Sequence, residues 1–371
     1  MRRLLRGRVP GWLPGWLQGP HLDLPLLAAL GLLIAFGLFV LYSASGGSLD
    51  TVYRQGVRIG VGLVALLVLS QVPPHVLRIW TPWLYALGVL LLLATWLVGT
   101  GRSTSRWLDL GVFRFQPSEI MKLAVPMMMA AYLHPRRLPP DLRSLLVSVG
   151  ILAVPAVLIA RQPDLGTALL VAASGVFVLF LSGLQWRVIF GLAGLAAAAA
   201  PALWWVMHDY QRQRVLTFLD PESDPLGSGW NIIQSKIAVG SGGLLGKGWL
   251  HGTQSRLEFI PERHTDFILA VLSEEFGLVG VLLLLLLYLF IVGRGLYIAG
   301  LARTTYARLL AGSISMTFFL YVMVNAGMVS GLLPVVGVPL PLISYGGTSI
   351  VTLLAGFGIL MSIFGHRNFI R

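Results

Sequence analysis

Cysteine is absent from the 371 residues. That excludes disulfides, thiol nucleophiles and thiolate-held metals. Charge is scarce as well: 11% of the residues are Asp, Glu, Lys or Arg, against about 25% in soluble domains. Lysine is nearly missing, with only Lys122, Lys236 and Lys247 among 27 basic residues. His251 and His264 have no closely spaced partners of the kind zinc requires, so no zinc site is expected. No internal repeat and no low-complexity tract appears. What the chain has instead is apolar: 56% of it is hydrophobic and the mean hydropathy is +0.80. A chain this apolar cannot cover its surface with polar groups in water. A soluble enzyme, a disordered tail and a disulfide scaffold are excluded, and a multi-pass membrane protein remains.

Runs of mostly apolar residues lie at 24–44, 57–72, 77–98, 118–133, 144–160, 166–183, 187–207, 271–293, 308–330 and 347–365. They predict an all-α fold of about ten transmembrane helices in a single polytopic domain, 1–371. An even number places both termini on one side. With the N-terminus in the cytoplasm, fourteen arginines fall in inner segments and six in the short outer loops, as the positive-inside rule demands. The same rule explains the net charge of +12 without nucleic acid, which is not expected as a partner. The acids run the other way, with only Asp23 and Asp141 of 15 on the inner side. Polar chemistry is therefore expected on the outer face. Residues 1–22, with four arginines beside Trp12 and Trp16, read as an uncleaved cytoplasmic segment lying at the membrane interface.

Two connections stand out. Residues 208–265 form one long outer loop between spans 7 and 8, polar but punctuated by Trp230, Trp249 and Phe259; a loop of that length is usually functional. Its stretch GSGGLLGKG, 240–248, is no Walker motif. It fits either a flexible turn or backbone amides and Lys247 facing a phosphate. The second connection, 332–349, carries Pro334, Pro339 and Pro341 yet almost no charge. Irregular apolar backbone at membrane depth is tolerated only when buried or lining a cavity. This is a re-entrant segment before span 10.

Ionisable groups inside spans are functional candidates by default. Glu119 and Lys122, at i and i+3, share a helix face and can pair; they fit a structural tie or a charged cavity wall. The preceding loop adds Arg106, Trp107 and Asp109. Asp164 fits a helix cap or a polar site residue. The densest segment, FIPERHTDFILAVLSEEFG at 259–277, places Glu262, Arg263, His264 and Asp266 at the lip of an apolar run. Asp266 there can take a proton from a hydroxyl, or simply start a salt-bridged helix. Carboxylates on that face leave room for a hard divalent cation such as Mg2+, although the sequence defines no cofactor and no metal ligand set.

Six motifs together carry a resemblance: RWLDLG (106–111), FQPSEIMKLA (115–124), RQPDLGTA (161–168), YQRQRV (210–215), GSGWNIIQSKIAVGSGGLLGKGWLHGTQSRLEFIPERHTDFI (227–268) and PLPLISYGGTS (339–349). The chain resembles the SEDS family (shape, elongation, division, sporulation) of bacterial cell-wall polymerases along nearly its whole length. PERHTDF is similar to the elongation branch rather than the division branch.

The resemblance implies an inverting peptidoglycan glycosyltransferase in the cytoplasmic membrane, acting on its outer face. The implied substrate is lipid II, a disaccharide-pentapeptide on undecaprenyl diphosphate. The implied partners are a class B penicillin-binding protein and the elongation machinery. The resemblance puts the family's essential aspartate on Asp266 and its membrane ion pair on Glu119 and Lys122. Independently, such a transfer needs a base for a hydroxyl and cations for a departing diphosphate. Asp266 is the candidate base, and Arg212, Arg214, Lys247, Arg263 and Lys122 are candidate diphosphate partners. Two other classes remain. A flippase of the lipid-linked precursor would use the intramembrane charges and the broken helix. A non-enzymatic scaffold for a penicillin-binding protein would need neither.

Overall fold

A computed structural model describes residues 22–98, 107–109, 114–207, 209–221, 229–257 and 259–366. The N-terminal interfacial segment lies outside them apart from residue 22, as do Arg106 and Glu258. Thirteen helices are present among the described residues: α1 (Leu24–Ala44), α2 (Leu49–Gln71), α3 (Pro74–Val98), α4 (Pro117–Leu133), α5 (Leu142–Arg161), α6 (Leu165–Leu181), α7 (Trp186–Val206), α8 (Asp209–Leu219), α9 (Trp230–Ser241), α10 (Thr253–Arg256), α11 (Ile268–Leu301), α12 (Thr305–Val329) and α13 (Thr348–Gly365). A two-residue antiparallel ladder, β1 (Leu108–Asp109) with β2 (Arg114–Phe115), precedes α4.

The protein is an all-α, multi-pass membrane protein. Ten of its helices (α1 to α7 and α11 to α13) occupy the ten apolar runs. Seven of them are long and apolar enough to cross a bilayer, and α6 is a shorter apolar helix. Asp23, Ser48, Asp141, Asp164 and Thr304 each cap a helix with a side-chain oxygen, satisfying amides that the first turn leaves open. Hydrophobicity does not drive helices together within lipid, so close backbone approach and polar ties must. Helices α2 and α13 show the first: a Cβ on Gly358 would stand 2.6 Å from the Leu66 carbonyl oxygen. The second is seen where Arg294 of α11 grips Asp23 at 2.7–3.2 Å while its guanidinium lies over Tyr297 and Phe364. That staple joins α1, α11 and α13 at one end of the bundle.

The opposite end carries the two connections singled out above. Residues 208–265 are more regular than a loop, since they contain α8, α9 and α10. The glycine-rich stretch is not a loose turn. Helix α11 is broken at Gly277 (φ 62°, ψ −164°), and the stretch is laid into the break. The Lys247 and Gly248 amides donate to the Glu274 and Glu275 carbonyls; the Leu278 and Val279 amides donate to the Gly243 and Leu244 carbonyls. Backbone groups freed by the break are thereby satisfied, as membrane depth requires. The segment after α12 lacks helix from Gly331 to Gly347, with Val338, Leu340, Leu342, Ile343 and Ser344 buried. It is the expected irregular segment. Gln55 of α2 brackets it, donating to the Ser344 carbonyl at 2.9 Å and accepting from the Gly346 amide. Tyr288 of α11 donates to the Pro341 carbonyl at 2.6 Å.

Candidate active site

A cavity of about 220 Å³ opens between the irregular segment, the starts of α4 and α6, the middle of α12 and the turn before α11. Glu119, Lys122, Asp164 and Asp266 all line it, with Trp107, Gln116, Thr167, Tyr321, Tyr345 and residues 346–349. Four ionisable residues from three distant stretches of chain therefore meet in one place.

Pro117 starts α4 and so presents Glu119 and Lys122 in its first two turns. Lys122 Nζ donates to Glu119 Oε1 at 2.6 Å, and both side chains are nearly inaccessible. The ammonium also lies 5.2 Å from the Tyr321 ring centre, where a ring face attracts a cation. Asp164 caps α6, accepting from the Thr167 amide at 3.2 Å, and accepts from Gln116 Nε2 at 3.1 Å. It is both the cap and a cavity residue.

Asp266 stands in a turn just before α11 and is half-buried. Burial pushes its carboxyl up from 3.8 to about 6; the neighbouring charge of Glu262 adds to the rise and Arg214 opposes it. A carboxylate titrating near neutrality at a cavity wall is suited to general-base work. Its backbone is held rather than loose. The three successive carbonyls of His264, Thr265 and Asp266 accept from the Tyr345 amide, Ser344 Oγ and Asn325 Nδ2 at 2.8, 2.6 and 2.8 Å.

The candidate cations fare differently. Arg214 acts on Asp266 through its charge and reaches the Val336 carbonyl at 3.4 Å, which sets it at the cavity margin. Arg212 donates to the Trp204 and Trp205 carbonyls at 2.9 and 3.0 Å, closing the end of α7. Lys247 is committed to Glu274 at 2.6 Å and Thr253 at 2.8 Å and does not line the cavity. Glu274 is fully buried and needs a counter-charge, which Lys247 supplies from the surface with 29% of its own side chain exposed. Arg263 is not a lining residue either; it reaches toward Gly46 beyond α1. Among the described residues no three of His, Asp and Glu gather as metal ligands. Gln116, Thr167 and Tyr321 are cavity residues that the sequence did not single out. Gln116 lies within a quoted motif, whereas Tyr321 sits in an apolar span and looks like core.

Fold and site together define a class: a multi-pass helical membrane protein with a polar, charge-lined cavity under an irregular segment at one end of its bundle. The chain matches the FtsW/RodA/SpoVE cell cycle protein family across residues 24–368 and belongs to that family. It is 55% identical over 350 residues to the peptidoglycan glycosyltransferase MrdB of Escherichia coli (strain K12), covering 94% of this chain and 95% of that one. It is 36% identical over 362 residues to stage V sporulation protein E of Bacillus subtilis (strain 168), covering 94% and 98%. Among solved structures, a chain of a peptidoglycan synthase complex matches with a TM-score of 0.82 and 35% identity, over 94% of this chain and 98% of that one. The rod shape determining protein RodA of Thermus thermophilus matches with a TM-score of 0.72 and 29% identity, over 96% and 99%.

Proposed function

We propose that this protein is a peptidoglycan glycosyltransferase that polymerises lipid II on the outer face of the cytoplasmic membrane, with Asp266 as general base. Asp266 takes the proton from the acceptor sugar hydroxyl as that oxygen attacks the anomeric carbon of the donor. The bond from that carbon to the diphosphate breaks, and undecaprenyl diphosphate leaves with the charge. One base and one displacement invert the anomeric centre. Lys122 and Arg214 are the cations nearest this chemistry and stabilise the departing diphosphate; Glu119 holds Lys122 in place. Asp164, Gln116 and Thr167 offer hydrogen bonds to sugar hydroxyls. The cavity faces outside and both termini lie in the cytoplasm. A class B penicillin-binding protein crosslinks the product within the elongation machinery.

The observation that carries this reading is the meeting of Asp266, with its raised carboxyl, and the Glu119–Lys122 pair in one cavity. The similarity to MrdB supports the reaction class. The test is lipid II polymerisation by purified protein, wild type against Asp266→Asn. The variant keeps the shape and removes the base, so the rate is expected to fall by about 10²- to 10⁴-fold while lipid II binding persists. Polymerisation near the wild-type rate would remove Asp266 from the mechanism.

A further inference from the structure

The mechanism above uses the carboxylate of Asp266 but leaves open what holds it still. Asp266 belongs to a turn, residues 261–267, and not to a helix. A turn alone positions a side chain poorly, and a base displaced by about 1 Å can lose about 10²-fold in rate. The answer lies in α12. Asn325 is completely buried in that apolar helix. A buried amide is unfavourable unless its hydrogen bonds are made. Its Nδ2 donates at 2.8 Å to the Asp266 carbonyl and at 2.8 Å to the Val338 carbonyl. Both neighbours are acceptors, so the amide must present its NH2 group to them. Its Oδ1 makes no hydrogen bond among the described residues. Packing alone would favour leucine here; what distinguishes this half-satisfied buried amide is what its two donors join. They join Asp266 to Val338, two walls of the same cavity.

Ser344 adds a second tie. Its hydroxyl donates to the Thr265 carbonyl at 2.6 Å and accepts from the Leu340 amide at 2.8 Å. Ser344 is buried, and its own carbonyl is held by Gln55. The turn carrying the base is thus fastened at adjacent carbonyls to α12 and to the irregular segment.

We propose that Asn325 and Ser344 are positioning residues for the transfer: the bracket they form between the 264–266 carbonyls, α12 and the irregular segment sets where the Asp266 carboxylate stands in the cavity. The proposal rests on the reading of Asp266 as the base. Neither side chain touches the reacting atoms.

The experiment is a steady-state lipid II polymerisation assay from pH 5 to pH 8 on purified Asp266→Asn, Asn325→Asp, Ser344→Ala and Ser344→Thr. Each is first checked for a wild-type melting profile and for lipid II binding. Asn325→Asp keeps the shape and replaces the two donors with an acceptor. Ser344→Ala removes the hydroxyl and Ser344→Thr restores it. Asn325→Asp and Ser344→Ala are expected to lower kcat by about 10- to 100-fold, with KM within about twofold of wild type. Their acid limb should move, because the carboxylate no longer sits among the same neighbours. Ser344→Thr should recover most of the rate. Should Asn325→Asp misfold, the Ser344 pair decides alone. If Asp266→Asn is inactive while Asn325→Asp and Ser344→Ala keep the wild-type kcat and acid limb, the proposal is overturned and the base stands. A loss expressed only as raised KM or a lowered melting temperature overturns it as well, since that marks a merely structural tie. If Asp266→Asn is itself active, the base reading falls and this proposal falls with it.

Discussion

Asp266 is a weak acid made weaker by its surroundings, and that has a measurable sign. Its carboxyl titrates at about 6 instead of 3.8 because burial disfavours the charged form. Only the ionised form can accept a proton. Polymerisation should therefore fall about tenfold for each pH unit below 6 and level off above it. A pH–rate profile checks this, and a limb near 4 would mean that the carboxylate works in water. Glu119 and Lys122 lend themselves to a second measurement. Both are almost wholly buried, and removing one partner of such a pair costs about 3–5 kcal/mol, because the other charge is left unpaired. Glu119→Ala and Lys122→Ala should each lower the melting temperature and abolish polymerisation. The double replacement by apolar residues of similar size should recover stability without activity. These residues were legible in the sequence because an ionisable group in an apolar run calls for a reason. Arg212 and Lys247 were not, because their partners are a carbonyl pair and a carboxylate brought close only by the fold.

Among the elements, the break in α11 is where sequence and structure differ most. Its 34 residues would run about 51 Å as one helix, longer than a span requires. The glycine-rich stretch fills the interruption at Gly277. At Gly246 φ is +79°, and a Cβ there would stand 2.2 Å from the Glu275 carbonyl oxygen. Gly246→Ala should force the stretch out of the break and expose at least two backbone groups, each worth about 1–3 kcal/mol when buried and unmade. Thermal melting in detergent should show the loss, and hydrogen exchange should localise it to residues 243–248 and 274–279. An unchanged melting temperature would mean that the loop is held elsewhere. Apolar periodicity could not reveal this arrangement, since it depends on backbone pairing across some thirty residues. The same blindness hid the first turns of α2, where Asp50, Arg54, Gln55 and Arg58 interrupt the apolar run although the helix begins at Leu49. It also hid α8 and α9, whose polar faces lack the length of a span.

For the whole molecule, the ten apolar runs were enough to place every spanning helix, because lipid leaves a long apolar segment no alternative to helix. The cavity was not readable at that level, since at least five stretches of chain converge on it. Orientation follows from charge: a reporter fused after residue 371 should be active only in the cytoplasm, and activity only outside would invert the bundle. Stability at the far end rests on Asp23 and Arg294. Asp23 has no exposed side-chain surface, so Asp23→Ala should destabilise the fold, by less than a fully buried pair would because Arg294 keeps 23% of its side chain in solvent, without moving the pH–rate limb. The bracket at Asp266 also bears on biogenesis. A ribosome delivers Asp266 to the membrane 59 residues before Asn325, about 3–12 s earlier at about 5–20 residues per second. During that interval the nascent chain already contains Glu119, Lys122, Asp164 and Asp266 but not Asn325. An interrupted translation product that ends before Asn325 is therefore expected to leave no half-built polymerase working in the membrane.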